Sequence, residues 1–271
     1  GRELCKPADA KPSHTRLVSG GIRPSDIAQG QLGNCWLMAS LSCLAEQQGA
    51  IMRCFETRQY NERGRYKVRL YDGQERKWVR VVVDDYFPTV QGRPIFAQPN
   101  GNELWVLILE KAFAKYCGSY AVLSGGLMLW GLEAVTGDHV LHFAKQGNLW
   151  VKMRIVHMSD PGNKRRAGIQ KVSPEESHAD EGFFDILAEY DRRRSVIGAG
   201  SAKGKKTTDS AADARQGICR GHAYSVVACK KVSGFRMLQL RNPWGFFEWS
   251  GDWCDGSPLW KQHSSVASAC G

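Results

Sequence analysis

Residues 29–37 read Gln-Gly-Gln-Leu-Gly-Asn-Cys-Trp-Leu, and Met-Ala-Ser-Leu-Ser-Cys-Leu follows in helical rhythm. Cys35 therefore stands where a glycine-rich loop turns into an apolar helix. A thiol at that junction meets the positive end of the helix macrodipole. This favours the thiolate, which is the nucleophilic form. Gln29, upstream on the same loop, is placed to donate its side-chain amide to an oxyanion. Taken alone, Cys35 also reads as a small buried hydrophobe at a helix start, as most free cysteines are.

Two later segments change that balance. Gly221-His222-Ala223-Tyr224-Ser225-Val226-Val227 carries a histidine opening a strand-like run, and Arg241-Asn242-Pro243-Trp244-Gly245 carries an asparagine just before a proline break. Val226 to Lys231 and Phe235 to Arg241 both favour strand, with Ser233-Gly234 as a turn signal between them. A hairpin of that kind brings His222, at the start of the first strand, close to Asn242, at the end of the second. Asn242 would then accept from one ring nitrogen of His222 and fix its tautomer, leaving the other nitrogen to face Cys35 as base and then as acid. Trp244 would cover the His–Asn hydrogen bond. Singly, His222 reads as a satisfied core histidine and Asn242 as a turn former. Together with Cys35 they follow the chain order Cys, His, Asn of papain-like peptidases.

On these segments the chain resembles the protease core of calpains. Further matches are Val82-Val83-Asp84-Asp85, Leu109-Glu110-Lys111-Ala112-Phe113-Ala114-Lys115-Tyr116, Leu123-Ser124-Gly125-Gly126 and Glu248-Trp249-Ser250-Gly251, so the resemblance runs from about residue 18 to 260. It implies an α+β, papain-like cysteine protease fold of two subdomains flanking a cleft. The first (1–135) would be helical plus strand and carry Cys35. The second (136–271) would be mainly antiparallel sheet and carry His222 and Asn242. The implied activity is that of a calcium-dependent intracellular, cytoplasmic cysteine endopeptidase making limited cuts in proteins, with Cys35, His222, Asn242, Gln29 and Trp244 as its catalytic set. One departure is visible. Calpains usually have Asp before the cysteine, and here it is Asn34. Asn is also a good N-cap, so the helix is expected to start in the same place.

The resemblance also implies regulatory Ca²⁺ within each subdomain. Matching positions in the first are Ser19 and Gly21, through backbone carbonyls, and Asp26 and Glu110, through carboxylates. Oxygen-only ligands of this mixture suit a hard cation. In the second, Glu248 and Asp255 match calcium-binding acids, and the remaining family ligands lie beyond Gly271. Calcium would draw the subdomains together until Cys35 and His222 meet. Spacing alone marks no EF-hand loop, and most such acids are solvated loop carboxylates.

The chain has 271 residues and is 42% hydrophobic, enough for one large or two small domains. It has no run of 18 or more apolar residues, and Gly1 in first position suggests a piece of a longer protein with further domains. Nine cysteines at positions 5, 35, 43, 54, 117, 219, 229, 254 and 270, without a CxxC, point to a reducing compartment rather than to a disulfide scaffold or zinc ribbon. Cys43, two turns past Cys35, is expected to pack in the core, a second reactive thiol being the lesser reading. The net charge of +10 biases the protein toward acidic partners or an acidic membrane surface. The basic and aromatic stretch from Arg53 to Arg80 alternates as a sheet face does, so no specific nucleic acid is expected.

The elements follow. Cys35 to about Gln48 is the central helix, Arg65 to Phe96 mostly strand with a turn at Asp72-Gly73, and Glu103 to Tyr116 a second helix. Leu123 to Gly137 is glycine-rich and is expected to contain the hinge, Gly182 to Tyr190 reads as a short helix and Ser195 to Ala199 as a strand. Pro161–Asp180 and Ser201–Arg215 read as exposed loops. The tail from Lys261 to Gly271 is small and polar and fits no family pattern, and a missing strand there would leave a sheet edge open. The alternative to an enzyme is therefore a catalytically silent calpain-like scaffold or protein-binding module.

Overall fold

The structure is a computed structural model that describes residues 3–5, 15–160, 163–201, 212–213, 217–219, 221–242 and 248–271. It combines helices with antiparallel sheets, the α+β class. The elements in chain order are β1 (Glu3–Cys5), α1 (Cys35–Ala45), β2 (Arg65–Asp72), β3 (Lys77–Asp84), β4 (Phe87–Val90), β5 (Arg93–Pro94), α2 (Trp105–Cys117) and α3 (Met128–Thr136). Next come β6 (His142–Gln146), β7 (Leu149–Asp160), β8 (Asn163–His178), α4 (Asp180–Arg192), β9 (Ile197–Gly200), β10 (Ala212–Asp213), β11 (Ile218–Cys219), β12 (Ala223–Val232), β13 (Phe235–Arg241), α5 (Leu259–Gln262) and α6 (Ser264–Cys270). Among the described residues no helix is long and apolar enough to cross a membrane.

α1 is buried from Trp36 to Ala45. A helix that is apolar all round belongs inside, not on a surface, and α1 is the central element here. It stops at Ala45, short of Gln48, where the chain turns through Gly49 at φ +76°. The main apolar cluster joins α1 to α2, α3 and the inner face of β2 and β3, and runs from Leu17 to Val135. β2 pairs with β3 across a turn in which Asp72 Oδ1 accepts from the amides of Gln74 and Glu75.

Much of the glycine-rich segment expected to contain the hinge is helix. α3 fills Met128 to Thr136 and ends on Gly137 in the left-handed conformation, a frequent helix stop. Gly131 explains how α3 approaches α1 so closely: a Cβ there would lie 2.5 Å from Ser40 Oγ. Pro161–Asp180, expected to be a loop, is mostly β8, whose pairing with β7 gives a long hairpin extended by β6. Its polar sequence lacks an apolar period but still pairs through its backbone. Ser201–Arg215 lies largely outside the described residues.

The element that matters most for the site is the sheet of order β13-β12-β9. The expected hairpin is present, with Ser233 at φ 50° and Gly234 at φ 84°, the pair of positive angles that a tight two-residue turn requires. Both β9 and β12 pack on α1. Leu238 and Leu240 on the outer strand β13 are 46% and 38% exposed. The small, polar tail is helical and docked: Val266 of α6 is fully buried, and Lys230 Nζ donates to the Ala269 carbonyl at 2.5 Å.

Candidate active site

Cys35 is the first residue of α1 and is partly exposed, while its neighbours Asn34 and Trp36 are buried. Three local features hold this corner. Trp36 donates through Nε1 to the Leu123 carbonyl at 2.9 Å and stacks on Trp130 with ring centroids 5.0 Å apart. The Gly125 amide donates to the Gly33 carbonyl at 2.8 Å. Gly126 lies so close to the Trp36 ring that a Cβ would fall 2.4 Å from it. The Leu123–Gly126 loop is therefore clamped to the residues that flank the thiol.

Upstream, the loop carrying Gln29 lies against Ile95–Phe96. The Gln31 amide donates to the Ile95 carbonyl at 2.9 Å, and the Gln98 amide donates to the Ala28 carbonyl at 2.9 Å. Between these bonds Gly30 touches the Phe96 backbone. Gln29 Nε2 donates to the Leu32 carbonyl at 2.7 Å, which fixes the orientation of the side-chain amide on this loop.

Asn34 behaves differently from a simple cap. The helix does begin at Cys35, but the Asn34 side chain makes no capping bond. Its Nδ2 donates to Glu110 Oε1 at 2.7 Å. Glu110 is 2% exposed and also accepts from the Ala97 amide. Burial pushes the Glu110 carboxyl up to about 7, against the opposing pull of those two donors. An amide at position 34 can donate to that carboxylate without a shared proton, and an aspartate could not.

His222 immediately precedes β12, and Asn242 immediately follows β13. Register pairing of Ser225 with Arg241 brings them together. His222 Nε2 lies 2.9 Å from Asn242 Oδ1, with both residues buried. With Nε2–H donating to that oxygen, Nδ1 is left as the basic nitrogen. Burial lowers the His222 pKa and the Asn242 bond raises it, the net shift being downward. Tyr224 stands edge-on to the imidazole at 4.9 Å. Ser201 holds the His222 backbone on both sides, accepting from its amide at 3.0 Å and donating its own amide to its carbonyl at 2.9 Å. Ser201 was not legible in sequence, because a serine in a polar stretch carries no signal. Trp244 lies outside the described residues.

Cys43 points at the sheet: its thiol donates to the Ile197 carbonyl at 3.4 Å. Burial pushes it up to about 12, which makes it a packing residue and not a nucleophile.

The acids expected to hold calcium divide into two groups. Asp26 accepts from the Arg23 amide at 2.7 Å and from Asn100 Nδ2 at 3.0 Å. The acid grouped with it is Glu103 rather than Glu110. Glu103 Oε1 accepts from the Ser19 amide at 2.6 Å, and its pKa is raised first by burial and then by Asp26. Glu103 Oε2 is buried without a partner in hydrogen-bonding geometry, although Trp105 lies near enough to favour its charged form. A recess of about 270 Å³ opens there between Arg16, Ser19, Asn100, Gly101, Asn102 and Glu103. An acid just before an apolar helix, one heptad ahead of Glu110, was the available sequence signal. Glu248 and Asp255 are both exposed. Among the described residues no group of three or more His, Cys, Asp or Glu side chains is placed to hold a metal ion.

The profile described as calpain family cysteine protease matches residues 2–269. Similar proteins include the calpain-type cysteine protease DEK1 of Arabidopsis thaliana, 35% identical over 256 residues that make up 93% of this chain and 10% of that protein. Calpain-9 of Rattus norvegicus is 32% identical over 254 residues (92% of this chain, 32% of that protein). Calpain-8 of Mus musculus is 33% identical over 267 residues (95% and 32%). The chain thus spans between about a tenth and a third of the length of these relatives.

Proposed function

This chain belongs to the calpain family of cysteine proteases, and from that premise we propose that it hydrolyses peptide bonds in protein substrates, cutting at few sites. The observation that carries the reading is the buried 2.9 Å contact between His222 Nε2 and Asn242 Oδ1, formed by strands that pack on the helix whose first residue is Cys35.

Cys35 Sγ attacks the scissile carbonyl carbon while His222 Nδ1 takes the thiol proton. The backbone amide of Cys35 and the side-chain amide of Gln29 hold the oxyanion. His222 then protonates the leaving amine as the C–N bond breaks. Water, deprotonated by His222, hydrolyses the thioester and restores the thiol. Asn242 keeps the imidazole in the tautomer that every step needs, and Trp244 is read as the cover of that hydrogen bond. The two catalytic parts fall in the segments read as subdomains, 1–135 and 136–271.

Calcium is read as a regulatory ion. The carbonyls of Ser19 and Gly21 with the carboxylates of Asp26 and Glu103 would hold it, and Glu103 replaces Glu110 in this set. The fit rests on the unpartnered Glu103 Oε2 beside a second carboxylate and a polar recess. A bound Ca²⁺ would supply the positive charge that two neighbouring acids lack. Glu248 and Asp255 remain the acids proposed for a second site. A cytoplasmic location, an acidic membrane surface as partner and further domains in the whole protein belong to the same reading.

A peptide epoxide directed at cysteine proteases tests it, with the modified residue mapped by mass spectrometry. The expected result is labelling of Cys35, faster with calcium and absent in Cys35→Ala. Labelling spread over several thiols at equal rates, and unchanged by His222→Ala, would instead support a non-catalytic scaffold.

A further inference from the structure

Arg241 stands in the Arg-Asn-Pro-Trp segment beside Asn242, and catalysis as described leaves it without a role. Its guanidinium pairs with Glu46, the residue that caps the C-terminal end of α1. The pair therefore joins the two elements that carry the reacting groups. One end is on the Cys35 helix, at the opposite terminus from the thiol. The other is the last residue of β13, adjacent in sequence to the partner of His222.

Among its contacts with β9 and β12, α1 also meets the same sheet through the Cys43 thiol, which donates to the Ile197 carbonyl of β9. That contact lies between Glu46 and Cys35. With a helical rise of about 1.5 Å per residue, Glu46 is about 4.5 Å from it along the axis and Cys35 is about 12 Å from it on the other side. A tilt of α1 about that contact displaces Cys35 more than Glu46, in the ratio of about 12 to 4.5, and is resisted by the bonds that hold Trp36 to Leu123 and Ser40 to Met128, so small tilts are the ones that count. Errors of about 1 Å in the placement of reacting atoms cost on the order of 10²-fold in rate. An ion pair that contributes little to stability, as partly exposed pairs do, can still have a large effect through this lever.

We propose that Glu46 and Arg241 form a latch that sets the tilt of the Cys35 helix against the strands bearing His222 and Asn242. Both are positioning residues for the reaction, and the inference rests on the peptidase reading above. The latch predicts an effect on turnover and not on substrate affinity, because neither residue belongs to the proposed catalytic set.

The test is a charge-swap cycle. Glu46→Gln is expected to lower kcat roughly 10-fold with KM unchanged. Glu46→Arg, which sets two cations together, should lower it further. The double change Glu46→Arg with Arg241→Glu is expected to bring kcat back to within about 3-fold of wild type, since it restores the pair with opposite polarity. High salt should slow the wild type and leave Glu46→Gln unaffected. In parallel, hydrogen exchange of peptides covering 36–46 and 225–241 should accelerate in Glu46→Arg and recover in the double variant. This readout needs no turnover, so it judges the latch even if the wild type neither cleaves nor labels, an outcome that would count against the peptidase reading alone. Wild-type kcat in Glu46→Arg, a double variant no better than the single, or unchanged exchange would each overturn the latch.

Discussion

Gly30 offers a perturbation whose size is set by the backbone packed against it. A Cβ added at this position would lie 1.6 Å from the Phe96 carbonyl oxygen and 2.7 Å from that of Ile95. Contacts of a real Cβ essentially never fall under 3.0 Å, so Gly30→Ala forces a separation of at least 1.4 Å, by subtraction from that limit. The obstacle is backbone, and the backbone bonds Gln31 to Ile95 and Gln98 to Ala28 hold both sides of the contact. The cheaper movement is of the loop that carries Gln29. A displaced oxyanion donor costs about 10²–10³-fold in turnover, so kcat is expected to fall by at least about 100-fold. Overpacking of this kind costs about 1–3 kcal/mol in stability, which lowers Tm by roughly 2–10 °C and leaves the chain folded. Gly182→Ala is the control. Gly182 sits within α4 with nothing near its Cβ position, and the change should be neutral or stabilising by up to about 1 kcal/mol. The assay pairs steady-state proteolysis with a thermal melt. Gly30→Ala turning over within about 3-fold of wild type would refute the assignment of Gln29 and its loop to the oxyanion.

Three further outcomes follow from the same geometry. His222 is held below its usual value because burial disfavours the imidazolium, and the Asn242 bond opposes this; activity should therefore decline as pH falls through a value under 6.5. Asn242→Ala should lower kcat by about 10²-fold, within the range that positioned acid–base groups supply, and shift that acidic limb to still lower pH in a pH–rate profile. Glu110 titrates near 7 when folded against an ordinary value of 4.5, so the folded state binds its proton more tightly. Its contribution is present below pH 4.5 and is lost as pH rises through about 7, a change of up to about 3 kcal/mol. Urea denaturation across that window should show the slope in wild type and its loss in Glu110→Gln. Calcium should raise Tm through binding to the folded chain, and Glu103→Gln should remove most of that gain in a melting series whereas Glu110→Gln should leave it.

Much of this was legible in the sequence because each catalytic residue sits at a boundary that local chemistry marks. Cys35 follows a glycine loop and opens an apolar run. His222 and Asn242 flank a hairpin closed by the Ser233-Gly234 turn, and its pairing, shifted by one residue at a bulge between Val226 and Ala228, makes them neighbours. What escaped has physical reasons. Asn34 looked like a cap, but a buried carboxylate on a helix distant in sequence competes for its amide more strongly than a cap does. Glu103 and Glu110 both lie on or beside α2, and family spacing selected the second, whereas the fold puts the first beside Ser19 and Asp26. The helix within the glycine-rich stretch at Leu123–Gly137 was not read because glycine usually disfavours helices. Gly131 is there to let α3 approach Ser40, a reason that only packing reveals. β8 lacks an apolar alternation, so its strand character depends on pairing with β7. The small residues of the tail carry no amphipathic signal beyond Val266, whose burial is what docks α6.

The most direct test of the central claim is cleavage of an unfolded protein substrate by this chain and by its Cys35→Ala variant, each with and without millimolar calcium. The account predicts fragments from the wild-type chain, in greater yield with calcium, and none from the variant. Equal cleavage by both chains, or an intact substrate with a wild-type chain shown by its melt to be folded and calcium-bound, would contradict it.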